Sequence, residues 1–152
     1  MDINIELMSD EDLSQVMKIE YKSFSSPWSR HSFIRDINEN PYSLYLAAYN
    51  KDKLVGYIGG WMIIDELHIT NLAVDPDYRK QGIATRLIKS TIEIVKRKDF
   101  KSVTLEVRES NQAAINLYHK IGFKQKGRRL QYYKDNNEDA LIMRKELNYE
   151  GE

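Results

Sequence analysis

The feature that most constrains the fold of this sequence is the junction of an apolar strand with a long amphipathic helix, within residues 67–98. Residues 67–74 are mainly apolar, and the Asp-Pro-Asp segment at 75–77 then marks a turn. After Gly82 the apolar positions take helical spacing, at Ala84, Leu87, Ile88, Thr91 and Val95. The first N–H groups of a helix have no partner within it, and the helix dipole makes that end positive. The junction therefore predicts a binding site for a phosphate group.

Small residues at the start of this helix would allow an anion to approach the backbone closely. Arg79, Gly82 and Ala84 match the motif Gln or Arg, any two residues, Gly, any residue, Gly or Ala. This motif resembles the coenzyme A loop of the GCN5-related N-acetyltransferase (GNAT) superfamily, although an ordinary strand-to-helix connection also fits it. The resemblance implies that acetyl-CoA binds the strand end and the loop, at Leu72, Ala73, Val74, Arg79, Lys80, Gln81, Gly82, Ile83, Ala84, Thr85 and Arg86.

Composition excludes several classes of protein. With 152 residues, 41% of them hydrophobic, the chain is expected to form one domain over residues 1–152 with a substantial core. Lys plus Arg and Asp plus Glu number 23 each, so no net charge draws the protein to nucleic acid or to an anionic membrane. The absence of cysteine excludes disulfides, thiolate metal sites and a cysteine acyl-enzyme, which favours direct transfer between donor and acceptor.

Metal and membrane binding are not expected either. The three histidines are far apart in sequence, and no H-x-x-x-H pair occurs, so we predict no metal site. The N-terminus has no basic leader followed by an apolar core, and no apolar run approaches the length that spans a membrane. We therefore expect a cytoplasmic protein that acts as a monomer or a weak dimer.

The order of predicted elements is strand, two helices, three strands, helix, strand, helix and final strands. This order predicts a mixed α/β (α+β) sheet of about seven strands flanked by about four helices, and it is also the order of the GNAT fold. Phe24 is expected on the buried face of the first helix, with Leu13, Val16 and Met17. The strands are predicted at residues 3–7, 43–49, 54–62, 67–74, 102–108, 123–126, 130–134 and 140–144, and the helices begin near residues 9, 29, 82 and 111.

Glu106 is the first candidate for catalysis, because it interrupts an otherwise apolar strand. Alternation along residues 102–108 places Glu106 on the face opposite Val103, Leu105 and Val107. A carboxylate in a cleft at this position would lose solvation, which would raise its pKa towards a value useful for a general base. An ion pair with Arg108 or with a neighbouring strand is the structural alternative.

The helix after this strand carries a longer and more specific pattern. Residues 105–123 closely resemble the second signature of N-terminal protein acetyltransferases in the GNAT superfamily. The resemblance implies that Glu106 is the base, that Tyr118 protonates the departing thiolate, and that Asn111 contacts the cofactor arm. Considered alone, Tyr118 is also compatible with a core position beside Leu117.

Two further segments resemble the ribosomal-protein alanine N-acetyltransferases of the RimI type. They are residues 129–143 and the Ser-Ser-Pro-Trp-Ser run at 25–29. The resemblance implies that Pro27, Trp28, Tyr132 and Tyr133 bind the acceptor together with Glu106, and that the acceptor is the N-terminal alanine of the eighteenth protein of the small ribosomal subunit. Aromatic residues also favour strands in general, which is the structural alternative for the two tyrosines.

His68 has two possible roles. It shares a face of its predicted strand with Glu66 and Thr70. A structural, hydrogen-bonded histidine is one interpretation. The other comes from the resemblance, because some N-terminal acetyltransferases have at this position a tyrosine that orders a proton-relay water.

The sequence leaves three other functions open. An acetyltransferase of a small amine would share the cofactor half of the fold, and a non-catalytic acetyl-CoA-binding regulator would not need Glu106 and Tyr118. A nucleic-acid-binding protein is disfavoured because the chain is neutral. Its small basic segment comprises Lys124, Lys126, Arg128 and Arg129.

Overall fold

The structure, a computed structural model, describes residues 2–147. These residues form one sheet with helices on both of its faces, which confirms the predicted fold class. The strands are β1 (Ile3–Leu7), β2 (Ser43–Asn50), β3 (Lys53–Ile63), β4 (Glu66–Val74), β5 (Ser102–Arg108), β6 (Lys124–Tyr133) and β7 (Glu138–Glu146). The α-helices are α1 (Leu13–Ser23), α2 (Arg30–Glu39), α3 (Ile83–Arg97) and α4 (Gln112–Ile121).

The helix ends follow from local sequence signals. The helix predicted to begin near residue 9 starts with a capping box of Ser9 and Asp12, but this box lies on a short 3-10 turn at Asp10–Asp12, so α1 itself begins at Leu13. Ser29 caps α2 by accepting a hydrogen bond from the Ser32 N–H. Gly122 closes α4 with a φ of 111°, a left-handed conformation that glycine adopts without strain.

Two details of the predicted elements are wrong. Residues 123–126 and 130–134 do not form separate strands, because β6 continues from Lys124 to Tyr133 and two bulges adjust its register against β7. Phe24 lies just beyond α1 and is 38% exposed, because the chain turns into an extended conformation there and leaves the helical face.

The sheet has the order β1-β2-β3-β4-β5-β7-β6, and its pairs are antiparallel except for β4 and β5. Helices α3 and α4 pack on one face, with Leu87 and Ile88 at the centre of that core. Helices α1 and α2 cover the other face, where Leu13, Val16 and Phe33 are fully buried. Within residues 2–147, no helix combines the length and the apolar character that crossing a membrane requires.

The parallel pair in the middle of the sheet comes apart part-way along its length. Strands β4 and β5 are paired only from residues 66–69 to residues 102–105. Beyond that point β4 continues to Val74 and β5 to Arg108 without pairing to each other. The result is a gap within the sheet, at the carboxyl ends of both strands.

A β-bulge lies where the two strands separate. Asn71 pairs with Gly59 and Ile69 pairs with Gly60, so Thr70 has no partner in β3. The extra residue reverses the alternation of side chains. Ile69 and Leu72, rather than Ile69 and Asn71, therefore face the core beneath α3.

Candidate active site

The gap between β4 and β5 opens into a cleft of about 440 Å³. Leu72 lies on its β4 wall, Glu106 on its β5 wall, and Tyr118 reaches it from α4. The segment between α1 and α2 forms a further wall, so elements from both halves of the chain meet here. Three predicted site residues are thus brought together in one concave site.

The bulge determines which backbone groups of β4 point into the gap. The Asp75 N–H donates to the Val55 carbonyl at 2.8 Å, and hydrogen bonding alternates along an antiparallel pair. Ala73 therefore faces β3, whereas the N–H groups of Leu72 and Val74 face the gap. The Val74 carbonyl on that side accepts a hydrogen bond from Arg79 Nε at 3.1 Å.

The predicted phosphate loop has the geometry of an anion site. Gly82 has a φ of 81°, and a Cβ added to it would have no heavy atom within 4 Å, so the space above this backbone is open. In the described part of the chain, the N–H groups of Ile83, Ala84 and Thr85 have no backbone partner, as expected for the first turn of α3. The Arg86 N–H is different, since it already donates to the Gly82 carbonyl at 3.1 Å.

The residues before Gly82 have distinct positions. The Arg79 side chain contacts the Val74 carbonyl and, at 3.4 Å, Ser23 Oγ, so it braces the loop against β4 and α1. Lys80 has a φ of 63°, and Lys80 and Gln81 are exposed. The backbone at Gly82 is open, and the N–H groups of the first turn of α3 are free. Together with the basic side chain of Lys80, these groups fit the pyrophosphate of a coenzyme A molecule.

Glu106 contacts two basic side chains, His68 of the neighbouring strand β4 and Arg129 of β6, which lies beyond β7 in the sheet. His68 Nε2 lies 2.7 Å from Glu106 Oε1, and Arg129 Nε lies 3.7 Å from Oε2. Desolvation raises the pKa of Glu106, but the hydrogen bond and charge of His68 and the charge of Arg129 together outweigh it and hold the pKa below its ordinary value. The predicted rise in the pKa of Glu106 is therefore wrong, because desolvation is not the prevailing influence.

Tyr118 is almost completely buried at the base of the cleft. Burial and, to a lesser extent, Tyr133 raise the pKa of Tyr118 to about 12, so its hydroxyl retains its proton at neutral pH. Its ring packs against Phe123, with 5.8 Å between the centroids. Asn111 also lines the cleft, and its Oδ1 caps α4 by accepting the Ala114 N–H at 3.2 Å.

The predicted acceptor residues occupy different positions. Trp28 and Tyr133 line the cleft, whereas Pro27 lines an adjoining groove of about 590 Å³ beside α2. Tyr132 does not belong to the cleft wall and is 43% exposed, although its ring contacts Tyr133 edge-on at 5.1 Å. The structure therefore brings one tyrosine of the pair into the cleft.

The sequence analysis missed two polar groups of this cleft. Arg108 lies over the ring of Tyr133 at 4.0 Å and donates to Asp135 Oδ2 at 2.9 Å. Glu20 is only 1% exposed, accepts the Trp28 N–H and the Tyr57 hydroxyl, and has a pKa that burial raises. Its signal was present in the sequence, because Glu20 lies four residues after Val16 on the apolar face of α1.

The sequence of this chain also matches a known protein family. Residues 13–123 match the model described as the acetyltransferase (GNAT) family, which covers most of the chain. The chain belongs to the GNAT family. Acetyl-CoA-dependent N-acetyltransfer follows from that membership, and the matched residues include the phosphate loop, Glu106 and Tyr118.

Individual relatives of this GNAT protein are similar over nearly their whole length. A candidate ribosomal protein bS18-alanine N-acetyltransferase of Bacillus subtilis is 46% identical over 133 residues, 88% of each chain. The crystal structure of the ribosomal-protein-S18-alanine N-acetyltransferase from Escherichia coli superposes with a TM-score of 0.89 and 32% identity, covering 99% of this chain and 97% of that one. The NatC complex bound to Gag peptide and CoA contains a chain with a TM-score of 0.86 and 26% identity, covering 97% and 100%.

Proposed function

We propose that this GNAT protein transfers an acetyl group from acetyl-CoA to the α-amine of a protein N-terminus, and that the acceptor is the N-terminal alanine of ribosomal protein bS18. The observation that carries the proposal is the meeting of Glu106, Tyr118 and the Leu72 N–H in one cleft. The names of the Bacillus subtilis and Escherichia coli relatives support the choice of acceptor. A cytoplasmic location is part of the same proposal.

The residues of the cleft have complementary roles in this reaction. Acetyl-CoA supplies an activated acyl group when it is bound. The Leu72 N–H, held in place by the bulge in β4, donates a hydrogen bond to the acyl oxygen, where negative charge develops during transfer. Tyr118 donates its proton to the sulfur that leaves, and its raised pKa keeps that proton available.

Glu106 removes the proton of the incoming ammonium, directly or through a water molecule. An α-amine has a reference pKa of about 7.7 to 8.0 and a lysine about 10.4, so a single carboxylate is sufficient for an N-terminal acceptor. His68 contacts Glu106 and its side chain is 25% exposed, so a neutral His68 imidazole can take the proton from Glu106 onward to solvent. The contacts with His68 and, to a lesser extent, with Arg129 lower the pKa of Glu106, which keeps it ionised between turnovers.

The experiment that tests the proposal is detection of acetyl transfer by intact mass. The wild-type protein is incubated with acetyl-CoA and a peptide that begins Ala-Arg, with the same peptide blocked at its N-terminus, and with a blocked peptide that contains lysine. We expect a gain of one acetyl group on the free peptide alone. Transfer only to lysine or to a small amine such as a polyamine, or binding of acetyl-CoA with no transfer at all, would contradict the proposal.

A further inference from the structure

We infer that Glu20 is the positioning residue of the acceptor loop, defined here as residues 24–29 between α1 and α2. The inference rests on the proposed function, since it takes this loop as a wall against which the acceptor peptide binds. Phe24, Ser25, Ser26 and Trp28 of the loop all line the cleft. Their position depends on the contacts that hold the loop against the rest of the protein.

The backbone of the acceptor loop has few hydrogen bonds of its own. At its start the Phe24 N–H donates to the Glu20 carbonyl, and at its end the Ser29 carbonyl accepts from Phe33. Within the described residues, positions 25–28 form no hydrogen bond to another backbone group. The Trp28 N–H instead donates to Glu20 Oε2 at 2.9 Å, which ties the second half of the loop to α1.

The other oxygen of Glu20 is also fixed. Glu20 Oε1 accepts a hydrogen bond from the hydroxyl of Tyr57, a fully buried residue of β3. The Trp28 ring packs against Phe33 with 5.3 Å between centroids, and Phe33 contacts Tyr57 edge-on at 6.1 Å. The carboxylate is thus held by the central sheet on one side and holds the loop on the other.

The chemistry of Glu20 favours a positioning role over a charge role. Both of its side-chain partners, the Trp28 amide and the Tyr57 hydroxyl, are neutral, and no ion pair to Glu20 occurs within residues 2–147. A glutamine could replace both bonds, because its oxygen can accept the Trp28 N–H and its amino group can donate to the Tyr57 oxygen. Alanine can replace neither, and it leaves the Trp28 N–H without its partner.

Two substitutions therefore separate position from charge. We expect Glu20→Ala to raise the KM for an Ala-Arg peptide about tenfold, with kcat and the KM for acetyl-CoA changing much less. Glu20→Gln should restore the wild-type KM within about twofold. A variant that is merely less stable would lose active protein, which lowers the apparent kcat and leaves KM alone. If Glu20→Gln raises the peptide KM as strongly as Glu20→Ala, the charge itself contacts the acceptor and the positioning role is wrong.

A second measurement does not depend on activity. The chain has two tryptophans, so a Trp61→Phe background leaves Trp28 as the fluorescent reporter of the acceptor loop. We expect acrylamide to quench Trp28 more strongly after Glu20→Ala and no more strongly after Glu20→Gln. Equal quenching in all three proteins would overturn the inference. Failure of wild-type protein to acetylate any N-terminus would instead overturn the proposed function, while the quenching result would still decide whether Glu20 holds the loop.

Discussion

Ser25 Oγ lies 2.5 Å from Asp135 Oδ2, so one hydrogen bond joins the acceptor loop to the turn between β6 and β7. The same carboxylate oxygen accepts Arg108 Nη2 at 2.9 Å, and Arg108 lies over the ring of Tyr133. The two segments that border the cleft are therefore connected to each other through Asp135. This connection is independent of the tie between Glu20 and Trp28 on the inner side of the loop.

Removal of the Asp135 carboxylate is expected to weaken acceptor binding. Asp135→Ala releases Ser25 and leaves Arg108 with Glu138 and Asn136 as partners, so the loop and the Tyr133 ring lose a common support. We predict a severalfold rise in the KM for the peptide and an unchanged dissociation constant for acetyl-CoA, measured by steady-state kinetics and calorimetry. Asp52→Ala, in the exposed turn after β2, is the matched control. Equal kinetics for the two variants would contradict this role of Asp135.

Glu106→Gln should depress turnover while leaving acetyl-CoA binding intact. The amide keeps the size of the side chain but cannot accept a proton, and loss of a general base typically costs about 10² to 10⁴ in rate. We predict a loss in kcat of at least about 10²-fold, with a dissociation constant for acetyl-CoA within about twofold of wild type. Glu93→Gln on the exposed side of α3 controls for the substitution itself. Wild-type turnover by Glu106→Gln throughout the pH range would exclude Glu106 as the base.

Tyr118→Phe should reduce kcat by a factor that does not change with pH. Because burial and Tyr133 raise the pKa of Tyr118 to about 12, the hydroxyl is protonated throughout the range from about pH 6 to pH 9. We therefore expect parallel profiles of log kcat against pH for the variant and the wild type. The rate of the variant should be about 10 to 100 times lower, below the full effect of a general acid because water can enter in its place. A difference that vanishes at one end of this range would indicate another proton donor.

The buried carboxyl of Glu20 predicts a pH-dependent effect on stability. Burial raises the pKa of Glu20, so the folded state binds this proton more tightly than the unfolded state does. Ionisation of Glu20 therefore lowers the free energy of unfolding as the pH rises above its ordinary value of 4.5, and this cost is absent below that value. Glu20→Gln removes the cost, so we predict a melting temperature above that of wild type at pH 7.5. The difference should narrow towards pH 4 in thermal melts, and a variant less stable than wild type at pH 7.5 would contradict the prediction.

Gly82→Ala tests the phosphate loop through its backbone. Open space surrounds the missing Cβ, so a methyl group meets no protein atom, but the left-handed φ of 81° is unfavourable for alanine by about 1 to 2 kcal/mol. Relaxation of that strain would turn the first N–H groups of α3 away from a common point. We predict roughly tenfold weaker acetyl-CoA binding, measured by calorimetry. Gly127→Ala in β6, where the φ is not positive and the nearest contact of the added Cβ is 3.4 Å, should leave binding unchanged.

The sequence predicted what local patterns encode. The predicted helix start near residue 29 depends on neighbours within a few residues, and the structure has this start, with Ser29 as its cap. The phosphate loop is equally local, since Gly82 and the helix after it form a continuous segment. These local signals were sufficient for the order of most elements, whereas the resemblance to the family depended on the longer pattern over residues 105–123.

The sequence could not predict contacts that depend on how strands are arranged. Glu106 contacts His68 because β4 and β5 are parallel neighbours, and it contacts Arg129 of β6 across the intervening strand β7. Both contacts lower the pKa of Glu106 and together outweigh the rise that desolvation causes, which is why the predicted direction of the shift is wrong. The bulge at Thr70 is similarly invisible in the pattern, since a single unpaired residue exchanges the faces of all the residues that follow it in β4.

The separation of β4 and β5 has a consequence for the stability of the protein in the cell. Unpaired backbone groups within a sheet are a weakness that folded proteins usually avoid, and here they border the cleft in which we propose that acetyl-CoA binds. Any ligand that binds only the folded state adds to its stability in proportion to the logarithm of its concentration. A larger supply of acetyl-CoA would thus add to the resistance of each molecule to unfolding and proteolysis.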